Sequence, residues 1–178
     1  MTAPAIDIVS LDSTGLERHL DRLAEILRAC VHAGASVNFI LPFETPQARE
    51  FWLTRTAPGL AAGTRILLIA TIDNEIAGTV QLDLATPPNQ RHRAEVAKLL
   101  VHPDYRRCGI ARALMCRVEA FASDRQRSLL TLDTASDAAE SLYAELGYER
   151  AGIIPGYARG PLDDRLETTV IMFKRLAT

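Results

Sequence analysis

The residues best suited to bind an anion lie between a predicted apolar strand and a predicted helix, in the segment 101–111. Gly109 lets the backbone approach an anion closely, and Arg106, Arg107 and Arg112 bring positive charge to the same place. The first backbone N–H groups of a helix have no acceptor within the helix, and together with the helix dipole they bind phosphate. The segment is neither a P-loop nor a dinucleotide-binding turn. It therefore predicts a phosphate site, with a tight turn carrying surface arginines as the alternative.

Two other side chains could take part in polar chemistry. Asp133 ends a predicted buried strand, where a carboxylate can bind an ammonium group or relay its proton. The alternative is that Asp133 caps the following helix, a position for which Ser136 competes. The thiol of Cys108 lies among arginines, which favour a reactive thiolate. The sequence offers Cys108 no evident His or Asp partner, so we do not expect a nucleophilic cysteine.

Length and composition favour one folded domain over residues 1–178. The chain has 178 residues, 48% of them hydrophobic, and a formal net charge of −2, which suits a globular domain with its own core. A nucleic-acid-binding protein needs a basic surface to neutralise phosphates, so nucleic acid is not an expected partner. The N-terminus lacks the pattern of an export signal, and no stretch reaches the roughly 18 apolar residues of a membrane span. A membrane is therefore not an expected partner either.

The cysteines and histidines predict neither disulfides nor a metal site. Cys30, Cys108 and Cys116 are odd in number and include no Cys-x-x-Cys pair, as is typical of a reduced cytoplasmic protein. None of the four histidines stands at zinc-ligand spacing from another His or Cys. We therefore expect a cytoplasmic protein without a bound metal.

Hydrophobic periodicity predicts strands and helices in the order β-α-α-β-β-β-α-β-α-β-β. The predicted strands span residues 6–11, 65–72, 76–84, 94–101, 128–133, 148–154 and 167–175. The predicted helices span about 14–32, 46–58, 109–124 and 137–146, with Ser13 or Thr14 capping the first and Pro58 ending the second. The strand–helix–strand unit at 94–133 has a crossover connection, which indicates an α/β class with a mixed sheet.

Two motifs within this arrangement resemble the GNAT superfamily of N-acetyltransferases. Residues 106–111 (RRCGIA) follow an apolar strand and resemble its motif A, with Ala at a final position that also takes Gly. Residues 139–148 (AESLYAELGY) resemble its motif B, at the typical spacing from motif A. The resemblance implies the GNAT fold, which has a central mixed, mostly antiparallel sheet of about seven strands. It also implies a splayed parallel pair formed by the fourth and fifth strands, and about four flanking helices.

A narrower resemblance is spread over most of the chain. Segments 32–39, 93–101, 130–134 and 155–157 are similar to tabtoxin resistance acetyltransferases, which acetylate the amine of a small amino-acid toxin. This implies an acetyl-CoA-dependent N-acetyltransferase that acts on the primary amine of an amino-acid-like compound, toxin or antibiotic. Direct attack in a ternary complex is the implied mechanism, and a homodimer is one expected assembly. The alternatives are a peptide or protein N-terminal acetyltransferase and a non-catalytic regulatory domain that binds acyl-CoA.

The resemblance implies that two neighbouring segments bind acetyl-CoA (coenzyme A). The pyrophosphate would lie on backbone N–H groups of residues 107–111, and the pantetheine would pair with the backbone around Leu100 and Val101. Ser136 stands where the superfamily often has Asn. The expected cofactor contacts are Leu99, Leu100, Val101, Arg106, Arg107, Cys108, Gly109, Ile110, Ala111, Arg112, Ser136, Ala139 and Tyr143.

The resemblance also implies three catalytic residues, Glu95, Asp133 and Tyr143. Glu95 lies eleven residues before Arg106, the spacing of the general-base glutamate in histone-type members. Strand alternation puts Glu95 on the same face as Leu99, whose backbone N–H would donate to the thioester carbonyl.

Asp133 would bind the ammonium group or relay its proton, and the phenol of Tyr143 would protonate the leaving thiolate. Each assignment has a structural alternative. Glu95 could be a solvated carboxylate or the ion-pair partner of Arg93, and Tyr143 could be a core residue at helical spacing.

Overall fold

A seven-stranded sheet forms the centre of the computed structural model, which describes residues 5–177. The strands are β1 (Asp7–Leu11), β2 (Arg65–Ile72), β3 (Glu75–Asp83), β4 (Arg93–Val101), β5 (Leu129–Thr134), β6 (Glu149–Arg159) and β7 (Leu166–Arg175). They lie in the order β1-β2-β3-β4-β5-β7-β6. The β4–β5 pair is parallel and the other neighbouring pairs are antiparallel. The predicted mixed, mostly antiparallel sheet is confirmed.

Helices cover both faces of this sheet. They are α1 (Ser13–Arg18), α2 (Leu20–His32), α3 (Thr45–Phe51), α4 (Ala57–Ala61), α5 (Ile110–Asp124) and α6 (Asp137–Glu145). A π-helical turn, Trp52–Thr56, joins α3 to α4 without a break. The crossover from β4 through α5 to the parallel β5 is the predicted one.

The predicted first helix is divided into α1 and α2. Its N-cap is Asp12 rather than Ser13 or Thr14, because Asp12 Oδ1 accepts a hydrogen bond from the Gly15 N–H at 2.7 Å. The division falls at His19, where φ is −105° and ψ is 13°. The sequence did not reveal this division, because the apolar spacing continues across it.

The predicted stop at Pro58 is also wrong. Pro58 lies in the first turn of α4, directly after the π turn, so it falls where the hydrogen-bond pattern of the helix changes and not within a regular α-helical stretch. The helical path therefore continues to Ala61. It brings the π turn over the sheet, where Gln81 Nε2 donates a hydrogen bond to Thr56 Oγ1 at 3.2 Å.

β6 extends further than the sequence indicated. The predicted strand ended at residue 154, but β6 continues to Arg159 and resumes its pairing with β7 at Ala158. The register shifts between Ile154 and Ala158, and Gly156 has a φ of 63°. Because β6 is an edge strand, its proline removes no ladder bond that the sheet needs, and the turn-like residues become a bulge.

Two apolar layers lie on opposite faces of the sheet, and alternate residues of β2 contribute to each. Ile66 and Leu68 join the layer that contains the apolar side of α5, together with Tyr143. Leu67 and Ile69 join the layer formed by α1, α2 and Trp52. The continuous apolar run of β2 is therefore a strand buried on both faces. We refer to the two sides of the sheet as the α5 side and the α1–α4 side.

Candidate active site

The parallel strands β4 and β5 separate part of the way along their length. Their pairing covers residues 93–95 of β4 and 129–131 of β5, and it ends there although β4 continues to Val101. Within residues 5–177, the β5-facing edge of β4 has no strand partner beyond Glu95. Open backbone N–H and C=O groups can pair with an extended ligand as they would with another strand. The predicted contacts at residues 99–101 lie on this open edge.

A bulge at Lys98 reverses the faces of β4 in this region. β3 pairs Gln81 with Ala97 and Thr79 with Leu100, which leaves one extra residue on β4. Lys98 has a φ of 51°, and Thr79 Oγ1 donates a hydrogen bond to the Lys98 carbonyl oxygen at 3.1 Å. A residue in this left-handed region interrupts the pleat, so strict alternation does not continue through it.

The predicted common face of Glu95 and Leu99 is wrong for this reason. Ala94 and Val96 belong to the core of the α5 side, so Glu95 between them is directed to the α1–α4 side. Beyond the bulge, Leu99 packs against the α5-side core, and Leu100 belongs to the opposite layer. The role predicted for Leu99 uses its backbone N–H and does not depend on the direction of its side chain.

The predicted phosphate segment forms the start of α5. Gly109 is the N-cap, with a φ of 84° that favours glycine. The residues 106–109 are exposed, whereas the side chain of Ile110 is buried behind them. The loop therefore presents the beginning of a fifteen-residue helix to solvent, and a helix start of this kind attracts an anion. Arg112 forms an ion pair with Glu145 of α6, so part of its charge is already neutralised.

Asp133 is hydrogen-bonded to a residue of β7, and it does not cap α6. Thr169 is buried, and its Oγ1 donates to Asp133 Oδ2 at 3.2 Å, with the Thr134 carbonyl oxygen a second acceptor at 3.3 Å. Ser136 Oγ accepts from the Ala139 N–H at 3.3 Å and caps α6. The capping role considered for Asp133 therefore belongs to Ser136. No local pattern pointed to Thr169, because its partner is 36 positions away along the chain.

Tyr143 combines burial with the electrostatic influence of Asp133. The residue is 6% exposed, and its ring centroid lies 5.7 Å from that of Tyr148. Burial raises the pKa of the Tyr143 phenol, and the negative charge of Asp133 raises this pKa further. The phenol is therefore protonated at neutral pH and can donate a hydrogen bond. The same shift makes it a weaker acid, so complete proton transfer to a thiolate is less favourable than from an exposed tyrosine.

Glu95 is exposed on the α1–α4 side. Its Oε2 lies 3.9 Å from Arg93 Nη1, and its side chain is 53% exposed. Arg93 Nη1 also donates to Thr131 Oγ1 at 3.1 Å, and Arg93 Nη2 donates to Gln90 Oε1 at 2.8 Å, so Arg93 is shared among three partners. This loose contact is the ion pair that the sequence offered as the alternative role for Glu95. An exposed pair of this kind contributes little stability and leaves the carboxylate accessible.

Lys98 was not among the sequence-predicted site residues. Burial lowers its pKa, and the charges of Asp133 and Glu95 act in the opposite direction, so both carboxylates lie in its neighbourhood. Its ammonium nitrogen lies 5.5 Å from the centroid of the Phe51 ring. A signal was present, since a lysine interrupts the otherwise apolar end of strand 94–101.

Aromatic side chains cover the α1–α4 side beside these charges. The ring of Phe39 lies 4.4 Å from that of Phe43 and 5.4 Å from that of Phe51. His32 Nε2 makes a 2.8 Å hydrogen bond with the Phe43 carbonyl oxygen and so ties the segment after α2 to that helix. Phe51 therefore connects this aromatic cluster to Lys98.

Free thiols complete the description of this region. Cys30 is buried, whereas Cys108 and Cys116 are exposed. Cys30 Sγ donates to the Val101 carbonyl oxygen at 3.3 Å, and burial raises the pKa of Cys30 to about 11. Residues 5–177 contain no group of three or more His, Cys, Asp or Glu side chains arranged to hold a metal. No helix in this part of the chain has the length and apolar character needed to span a membrane.

Comparison with known proteins gives both sequence and structural matches. The model of the acetyltransferase (GNAT) family matches residues 21–148. N-acetyltransferase 8F1 of Rattus norvegicus is 31% identical over 87 residues, which are 47% of this chain and 39% of that relative. The chain thus matches about two fifths of that protein's length.

Two solved structures share the fold at low sequence identity. A candidate phosphinothricin N-acetyltransferase superposes with a TM-score of 0.78 and 16% identity, covering 98% of this chain and 100% of the other. A candidate acetyltransferase from Salmonella typhimurium, solved with its cofactor acetyl-CoA, has a TM-score of 0.77 and 18% identity, covering 97% and 95%. The fold inferred from the two motifs is confirmed.

Proposed function

The chain belongs to the acetyltransferase (GNAT) family, and from this premise we propose that it transfers the acetyl group of acetyl-CoA to the primary amine of a small molecule. The observation that carries the proposal is that an open strand edge and an exposed helix start follow each other in the chain. The open edge of β4 ends a few residues before the exposed start of α5. An extended thioester arm and an attached pyrophosphate need these two surfaces in this order.

The donor is held mainly by backbone groups. Residues 107–111 offer N–H groups to the pyrophosphate, and Arg106 and Arg107 add charge from exposed positions. The pantetheine pairs with the edge of β4 at Leu100 and Val101 and passes Ser136, Ala139 and Tyr143 of α6 and its cap. The N–H of Leu99, next to the bulge, donates to the thioester carbonyl and stabilises the oxyanion.

Two carboxylates accept the proton that the amine must lose before it can attack. An amine is a nucleophile only after its ammonium form loses a proton, and Glu95 and Asp133 accept it directly or through water. The amine nitrogen then attacks the carbonyl carbon, the C–N bond forms and the C–S bond breaks. The nitrogen gives up its second proton in this step, and that proton neutralises the coenzyme A thiolate. Tyr143 donates a hydrogen bond to the departing thiolate. Its raised pKa favours donation of a hydrogen bond before full transfer of the proton.

Direct attack in a ternary complex accounts for these residues better than an acetyl-cysteine intermediate. Cys108 is exposed, and its Sγ contacts the Arg106 carbonyl oxygen at 3.6 Å. That contact provides no base for the thiol. Asp133 lies at the end of β5 and Glu95 is paired with Thr131 of the same strand, which supports an amine that is deprotonated there.

The acceptor that we propose is amino-acid-like, such as a toxin or antibiotic. The tabtoxin-type segments support this, as does the structural neighbour named for phosphinothricin. The free thiols support a cytoplasmic location. A homodimer is supported by five exposed apolar side chains on or between β6 and β7, namely Ile153, Ile154, Tyr157, Leu162 and Leu166. Sedimentation velocity measures this assembly directly.

A thiol-release assay tests the proposed function. The purified protein is incubated with acetyl-CoA and a panel of amino acids, amino-acid toxins, polyamines and peptides with free N-termini, and calorimetry measures acetyl-CoA binding. Acetylation of small amines in preference to peptides is the expected result. Preference for peptides indicates N-terminal acetylation of proteins, and binding of acetyl-CoA without any turnover indicates a regulatory domain.

A further inference from the structure

Lys98 is a half-buried ammonium group without an ion-pair partner in the described chain. The sequence contains two lysines, Lys98 and Lys174. Lys174 Nζ lies 2.7 Å from Glu119 Oε2 and 2.6 Å from the Leu146 carbonyl oxygen. Within residues 5–177, no carboxylate lies within 4.0 Å of Lys98 Nζ, and its closest described interaction is with the ring of Phe51. Partial burial of a charge is unfavourable without compensation, so this group is suited to an anion that arrives with a ligand.

The backbone fixes where this ammonium group lies. Lys98 has a positive φ at the bulge, and the hydrogen bond from Thr79 to its carbonyl oxygen stabilises this conformation. Glu95 precedes it by three residues on β4 and is paired with Thr131 of β5, two residues before Asp133. The cation and the two carboxylates therefore lie around the point where β4 and β5 separate. They are near enough to interact, but Lys98 is not bonded to either carboxylate.

We propose that Lys98 binds a carboxylate of the acceptor, so that the preferred substrate is an amino acid or a close analogue with its amine at Glu95 and Asp133. This inference rests on the proposed acetyl transfer to an amine at the same site. An α-amino acid carries its ammonium and carboxylate groups on one carbon atom. It therefore needs a cation and an anion side by side, and these must not neutralise each other when the site is empty.

Other nearby cations are already engaged. Arg65 forms an ion pair with Asp83 and donates to the Arg55 carbonyl oxygen at 2.7 Å. Arg93 is shared among Glu95, Thr131 and Gln90. Lys98 is thus the cation of this cluster that a substrate can use. When an amine without a carboxylate binds, it buries the Lys98 ammonium group without a counter-ion. This cost disfavours such amines as substrates.

The competing explanation is that Lys98 only balances the charges of Glu95 and Asp133. That role affects every acceptor equally, because it acts on the catalytic carboxylates. A carboxylate-binding role affects acids and leaves the selectivity among neutral amines alone. The ratio of kcat/KM for an acid to that for its matched amide or decarboxylated amine separates the two, because any common effect on catalysis cancels in the ratio.

The test uses full-length protein and matched sets of an L-amino acid, its primary amide and its decarboxylated amine. The wild type should prefer the acid in the set that it uses best. Lys98→Met should lower the acid-to-amide ratio by roughly 10- to 100-fold, the loss expected for a hydrogen bond between charged groups. Lys98→Arg should retain most of the preference, because it keeps the charge. An unchanged ratio in Lys98→Met, or no preference in the wild type, overturns the inference and leaves the acetyltransferase proposal intact.

Binding measurements decide the result if turnover is absent. Calorimetry on the coenzyme A-saturated protein should detect the acids and not the amides, and Lys98→Met should abolish the difference. A protein that binds acetyl-CoA but no member of the acid set contradicts the inference. A protein that binds neither acetyl-CoA nor coenzyme A contradicts the proposed function itself.

Discussion

Thr169 donates a hydrogen bond to the carboxylate of Asp133, and this contact ties the C-terminal end of β5 to the neighbouring strand β7. Thr169 is 3% exposed, whereas Asp133 is exposed. A buried hydroxyl thus orients a carboxylate that solvent and ligand can reach.

Replacing this hydroxyl should weaken catalysis without affecting the donor site. Thr169→Val keeps the shape of the side chain, and we expect kcat to fall roughly 10- to 100-fold, because a hydrogen bond to a charged group is worth about 1.5–3 kcal/mol. Thr169→Ser keeps the donor and should retain most of the rate. The measurements are kcat and the Kd of acetyl-CoA for both variants. Equal losses in the two variants would indicate a packing role alone.

Glu95 and Asp133 should act as one unit. Glu95→Gln and Asp133→Asn are each expected to lower turnover by roughly 10²-fold or more, since general bases contribute about 10²–10⁴, with acetyl-CoA affinity nearly unchanged. The double variant should lose less than the product of the single losses. Steady-state kinetics across the pH range provides the check. Rates close to wild type in both single variants remove these residues from the mechanism.

The start of α5 should fail to bind acetyl-CoA when a negative charge is placed there. Gly109→Glu is expected to weaken acetyl-CoA binding by more than tenfold, because it repels the pyrophosphate and strains a φ of 84°. Gly109→Ala carries a similar strain without the charge and is the matched control. Calorimetry with melting curves compares the two variants. Identical affinities would mean that the pyrophosphate lies elsewhere.

Tyr143→Phe should lose turnover by roughly 10²-fold or more if the phenol assists the leaving group. The deficit should shrink with a thioester whose thiol is more acidic, because that thiolate needs less help. Since burial and Asp133 raise the pKa of Tyr143, the wild-type rate should show no decline from phenol ionisation below about pH 10. A loss that is the same for good and poor leaving groups assigns Tyr143 to positioning of the pantetheine.

Lys98 should make folding stability depend on alkaline pH. Burial lowers the folded-state pKa of Lys98 below the ordinary value of 10.5. The negative charges of Asp133 and Glu95 raise this pKa in part, and the positive charge of Arg65 lowers it further. Between the folded and ordinary values the unfolded chain binds more protons, so stability rises with pH in that window. Lys98→Met removes the free-energy cost of burying the ammonium charge. It should be more stable than wild type at neutral pH, with a difference that shrinks toward pH 10.5, as measured by denaturant unfolding.

The sequence by itself determined the fold and predicted where the donor binds. Gly109 after an apolar strand and before an amphipathic helix predicts an anion site. The anion is bound by backbone N–H groups at the helix start, and these depend only on local structure. The two motifs identified the superfamily, and the family model and structural matches agree. Strand positions followed from apolar runs, whose periodicity is a local property.

Only the tertiary structure decided what surrounds Glu95 and Asp133. The bulge at Lys98 depends on pairing with β3, and a single extra residue reverses every later side chain of β4. Strict alternation therefore placed Glu95 and Leu99 on one face, although they lie on opposite sides of the sheet. The contact of Thr169 with Asp133 and the position of Phe51 beside Lys98 join segments far apart in the chain. Such contacts follow from how strands and helices pack, and no local pattern encodes them.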